Sequence, residues 1–164
     1  MKKTIAVFLS AVLLLGAAAA PAAAEPIEVC GVQADTGDTY INIETNLRYR
    51  VAELTEGLDR MPSLRKADLY GSTMEVADMD MLTERYPEVE FGFTVGMGVY
   101  RFRSDITAFS MLVGEDNSSV YYSDAFEMLR FCRGLQALDV GHNMITTLDF
   151  LRHFPQMSSP VSSV

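Results

Sequence analysis

"LQALDVGHNMITTLDFL", residues 135–151, carries Leu135, Leu138, Val140, Asn143, Ile145, Leu148 and Leu151 at steps of three, two, three, two, three and three. Neither an unbroken helix nor an unbroken strand has that period. Two apolar side chains two apart, Leu138 and Val140, share one face of a short strand, while Ala137, Asp139 and Gly141 share the other. Asn143 then turns the chain, and its amide satisfies backbone groups that a buried turn leaves unpaired. Ile145, Leu148, Leu151 and Phe154 follow at three-residue steps, the spacing of a tight helical or 3₁₀ return. Strand, turn and return together read as one coil of a stacked structure.

The same order recurs upstream in weaker form. Leu64, Ala67, Leu69, Ser72 and Met74 keep the spacing, and "EVADMDMLTERYP" reads as a helix with Val76, Met79 and Leu82 on one face, stopped by Pro87. Ile41, Ile43 and Asn46 repeat the centre of the pattern, and Val51, Leu54, Leu58 and Met61 form the apolar stripe of a following helix. Val89, Phe91, Phe93 and Val95 alternate, Gly96-Met97-Gly98 intervenes, and Val99 to Arg103 is again strand-like, which predicts an inserted β-hairpin over about 89–103. Ile106, Phe109 and Met111 resume the pattern. A helix capped by Ser123 or Asp124 is expected to carry Phe126, Leu129 and Cys132, which stand 22 positions before Leu148, Leu151 and Phe154. "PIEVCGVQADTGDTYINI" holds two short strand candidates around a Gly/Asp turn.

The 135–151 string resembles the leucine-rich repeat in its short bacterial form of about 22 residues, as in internalin-like surface proteins. The resemblance implies an α/β solenoid: a short curved parallel sheet with helical return segments, here with an inserted hairpin. Its implied repeat core is Leu64, Leu69, Leu135, Leu138, Val140, Asn143, Ile145, Leu148 and Leu151. The strand positions pointing the other way, Tyr40, Asn42, Glu44, Lys66, Asp68, Tyr70, Ala137, Asp139 and Gly141, are expected on one concave binding face. The pattern stops near Met157, where Pro160 takes a leucine position, which is the mark of a truncated longer repeat protein.

Lys2 and Lys3 followed by the apolar run Ile5–Leu15 and an alanine tract form a signal peptide, with cleavage expected after Ala24. The chain then divides into residues 1–24, a capping region 25–63, a repeat region 64–157 and an irregular tail 158–164. Beyond the leader stand 11 basic against 22 acidic residues, a formal charge of −11 with no basic cluster. That balance excludes nucleic acid and anionic membrane surfaces as natural partners. Cys30 and Cys132 read as two buried thiols, with a single bridge as the alternative in an oxidising compartment.

Residues for chemistry are sparse. His142 and His153 lack a Cys or carboxylate at ligand spacing, and Asp78, Asp80 and Glu84 lack the glycine-containing loop of a calcium site and read as a solvated helix face. No catalytic residue, metal or cofactor is expected. The sequence therefore points to a secreted, non-catalytic module that recognises a protein or cell-surface glycan. An inactive capping fragment and a secreted hydrolase with dispersed carboxylates are the alternatives.

Overall fold

The computed structural model describes residues 24–43, 50–71, 74–111 and 120–157. The leader, Glu44, Asn46, Ser72, the "GEDNSS" loop and the 158–164 tail lie outside them.

Strands β1 (Pro26–Val29) and β2 (Val32–Asp35) form an antiparallel hairpin whose two-residue turn is Cys30-Gly31, upstream of the Gly/Asp turn expected from sequence. Both turn residues have positive φ, 49° and 82°, as a type I′ connection requires. Inward-facing Ile27 and Val29 are buried. Strand β3 (Tyr40–Asn42) then pairs in parallel with β4 (Lys66–Asp68), and β4 with β5 (Glu90–Gly92), so that Ile41, Ala67 and Phe91 stand side by side. Helix α1 (Val51–Leu58) returns the chain between the first two strands and buries Leu54 and Leu58, one turn apart. Helix α2 (Val76–Arg85) does the same between β4 and β5 with Met79 and Leu82. Pro87 forbids Tyr86 the helical region, and Tyr86 indeed sits at φ −123°, ψ 67°.

A second antiparallel hairpin, β6 (Thr94–Met97) and β7 (Tyr100–Arg103), follows. Strand β8 (Ala108–Ser110) pairs in parallel with β9 (Ala137–Asp139) in a sheet of their own. A 3₁₀ helix over Ser123–Phe131 precedes β9; at three residues per turn it aligns Phe126 and Leu129 with Cys132 on one fully buried face. Tyr122 holds the cap position, while Ser123 Oγ accepts hydrogen bonds from the amides of Thr146 and Thr147 at 2.8 and 3.0 Å. A shorter 3₁₀ helix, Asp149–His153, is the last element among the described residues.

The expected solenoid with one curved parallel sheet is therefore corrected. The parallel strands fall into two separate sheets, of three strands and of two, and two antiparallel hairpins accompany them. The hairpin expected over 89–103 is shorter: residues 90–92 belong to the parallel sheet, and the antiparallel pair spans 94–103.

Ser104, 5% exposed, marks where the first sheet ends. Its amide donates to Phe93 O at 2.9 Å, and its Oγ accepts from Phe93 N–H at 2.9 Å. These bonds occupy the backbone groups of Phe93 that a further parallel strand would need, so pairing ends just past β5.

One apolar core runs through all these elements, including Leu64, Leu69 and Leu135, each no more than 2% exposed. Leu138, Val140, Ile145 and Leu151 are half-buried against it. Leu148, expected in the core, is 52% exposed. The last 3₁₀ helix instead points Phe150 inward, packed on Phe126 at 5.5 Å between ring centroids, while Phe154 just beyond it is buried. Asn143 ties the second sheet's turn together: its Nδ2 donates to the carbonyls of Met111, Val140 and Gly141 at 3.0 to 3.2 Å, and its Oδ1 accepts from Tyr121 N–H.

Candidate ligand-binding cleft

The residues expected on a single concave face are distributed over two sheets. Tyr40 and Asn42 are exposed on β3, Lys66 is half-buried on β4, and Asp68 is buried at 9%. Tyr40 donates to Asp68 Oδ2 at 2.9 Å, and Lys66 Nζ stands 3.8 Å from Asp68 Oδ1 and 3.7 Å from Glu90. Tyr70, expected outside, is only 2% exposed. Ala137, Asp139 and Gly141 lie on and beyond β9, and Asp139 Oδ1 accepts from Gly141 N–H at 2.9 Å. Glu44 lies outside the described residues.

The break between the sheets opens a cleft of about 910 Å³. One wall is α2 and the segment leading into β5; the other is the end of the Ser123–Phe131 helix with Arg133 and Gly134. Its floor is aromatic. Phe91 and Phe93 stack at 5.5 Å and 13°, and Phe131 meets Phe93 edge-on at 5.6 Å. Pairs of this kind lock ring positions and add about 0.5–1.5 kcal/mol each beyond area burial.

Charges along the cleft are mostly neutralised in place. Arg130, lying over the Phe131 ring, grips Asp80 at 2.8 to 3.2 Å, so the Asp80 side chain, still 43% exposed, is ion-paired on its helix face. Arg103 holds Asp105 in the same way. His153 shares Glu127 with Arg152. Arg133 and Glu88, both exposed at the mouth, make no side-chain hydrogen bond or ion pair among the described residues.

Two buried polar atoms lack a hydrogen bond: Tyr70 Oη, on a residue that lines the cleft, and Asp68 Oδ1, which lies outside the cleft with Lys66 Nζ 3.8 Å away. An unpaired buried hydroxyl destabilises by about 1–3 kcal/mol. Burial, helped by the charge of Asp105, pushes the Tyr70 phenol up to about 12, so it stays neutral. Ser104 and Asp105 both stand within hydrogen-bonding influence of the hydroxyl, which in turn helps to lower Asp105, though neither contact reaches full hydrogen-bond geometry. The Arg103 guanidinium covers the Tyr70 ring at 3.5 Å.

Only Asp105 of these displaced cleft groups is a carboxylic acid, and the hydrogen bond from Arg103 holds it below its ordinary range. At Glu127 burial favours the protonated acid, but Arg152 and His153 outweigh it and the net shift is downward. Cys30 is half-buried and Cys132 buried; both are free thiols. Among the described residues no group of three His, Cys, Asp or Glu side chains is placed to hold a metal, and no helix is long and apolar enough to cross a membrane.

No family model matches the chain, nor does any curated protein or solved structure. The likeness to leucine-rich repeats thus rests on residue spacing alone. Sequence reasoning missed the cleft because its residues come from five segments, near 65–70, 80–93, 104–105, 130–134 and 153, that no local spacing connects. The one available signal was the cluster of Phe91, Phe93 and Phe131 beside Arg130 and Arg133.

Proposed function

We propose that this chain is an exported, non-catalytic recognition module and that the cleft between its two parallel sheets is where it engages its partner. The cleft itself carries the reading: its volume falls in the range of about 300–1,000 Å³ typical of ligand sites, with an apolar floor and a few fixed polar groups. The non-catalytic part is supported by the carboxylates. Those with displaced titration are all displaced downward, Asp59 by Tyr86 and Arg85, Asp105 by Arg103, and Glu127 by Arg152 and His153, whereas a general acid needs a raised value.

Gly134 supplies the test. Gly134 lines the cleft, and a Cβ there meets nothing within 4 Å. Gly134→Trp therefore adds bulk at the cleft wall without disturbing the core. Wild type and variant are compared on peptide and glycan arrays in parallel. The expected result is a set of wild-type signals that the variant loses; identical profiles for the two proteins contradict the proposal.

A further inference from the structure

Where Ser123 meets Thr146 and Thr147, the chain leaves a band of apolar side chains in water. Tyr122 is 59% exposed and Met144 55%, and the two are neighbours: a parallel bridge joins them, and the Met144 amide donates to Tyr121 O at 2.9 Å. Val120, two residues before Tyr122 on the same side of an extended chain, is exposed as well. Leu148 follows Thr147, whose amide bonds Ser123 Oγ, so it lies along the same seam. Its outward placement is fixed because Phe150 takes the inward position on Phe126. None of these side chains lines the cleft. Apolar side chains gathered at one place on a surface mark a site for a partner.

Charge says what kind of partner. A groove of about 390 Å³ borders Tyr122, and its lining includes Asp124, Glu127, Asp149 and Arg152. Arg152 is engaged by Glu127, whose two oxygens it holds at 2.7 and 2.8 Å, with His153 3.1 Å away. Asp124 and Asp149 are exposed and enter no ion pair among the described residues. Residues 104–129 and 134–151, which build most of this face, hold no lysine or arginine to offset them. Apolar and acidic positions are interleaved: Tyr122 stands two residues before Asp124, and Leu148 directly before Asp149. A second copy would set these carboxylates against their like on two acidic molecules. A chain with cations set between apolar side chains meets both features.

We propose that this face docks an extended segment of a partner protein in which lysine or arginine alternates with apolar residues. It is a second surface, independent of the cleft. The test is fluorescence anisotropy of the full chain with labelled nonapeptides alternating lysine with leucine, glutamate with leucine, and lysine with serine. The lysine–leucine peptide is expected to bind wild type about tenfold or more tightly than either of the others, and to bind less as salt is raised. Met144→Lys and Leu148→Lys, both at positions more than half exposed, are expected to keep the wild-type unfolding midpoint. Each should weaken that binding by about tenfold or more. Val76→Lys on α2 makes the same charge change elsewhere and should leave binding within about twofold of wild type. Absent binding of the lysine–leucine peptide, or equal binding of lysine–serine, removes the apolar band from recognition and overturns the proposal. Equal binding of glutamate–leucine overturns the choice of a cationic partner. Equal loss in Val76→Lys reduces the effect to overall charge and overturns the site. A dimer in sedimentation equilibrium that Leu148→Lys dissociates makes a second copy the occupant instead.

Discussion

Ser104 shows how much architecture one side chain can settle. Its hydroxyl and amide occupy the backbone of Phe93, ending the first parallel sheet and leaving the gap that becomes the cleft. Ser104→Ala leaves the Phe93 amide short of its acceptor inside the protein. We expect a loss of about 1–3 kcal/mol in unfolding free energy by urea titration, with an unchanged slope. Nothing in the sequence singles out Ser104, because its role depends on a residue eleven positions away. Asn143 is the opposite case: a buried turn flanked by apolar positions needs an amide there, and the observed bonds to Met111, Val140, Gly141 and Tyr121 are those the residue type allows.

Elements were legible wherever their period was local. The stripe Leu54, Leu58 and Met61 and the stop at Pro87 place α1 and α2, and the pairs Ile41–Ile43 and Ala67–Leu69 place the buried sides of β3 and β4. Register between elements was less legible. Alternation of Val89, Phe91, Phe93 and Val95 describes burial equally well in a hairpin or in a parallel strand followed by a hairpin, and the chain adopts the second. Leu148 was misplaced because a three-residue step fixes spacing but not phase, and the phase here is set by the fit of Phe150 against Phe126. The first hairpin offers a test at this scale. Cys30 sits at φ 49°, where a non-glycine residue is strained and asparagine is best tolerated. Cys30→Asn is expected to raise stability by about 0.5–1 kcal/mol in thermal unfolding; a decrease would show that packing of the half-buried thiol outweighs turn conformation.

At the scale of the whole molecule, one core links two sheets that do not merge, and the site arises from their separation. Stability should fall at both ends of the pH range. The folded-state values of Asp59, Asp105 and Glu127 lie below their ordinary 3.8, 3.8 and 4.5, so their contribution is fully present above those values and lost as pH falls through the lowered ones. Conversely, burial raises Cys30 to about 11 and Cys132, Tyr70 and Tyr86 to about 12, from ordinary values of 9.0 and 10.0. The unfolded chain loses these protons first, so stability is intact below about pH 9 and declines above it. Thermal midpoints should be level between pH 5 and pH 8 and drop on either side; a midpoint still rising above pH 10 would contradict the assigned burial.

Backbone amide chemical-shift mapping of the full chain on titration with a ligand drawn from the peptide and glycan arrays tests the central claim most directly. The largest changes are expected at Tyr70, Phe93, Arg130 and Gly134. Changes gathered instead at Tyr40 and Asn42, or at Ala137 and Asp139, would place recognition on the outward sheet faces and contradict a site in the cleft.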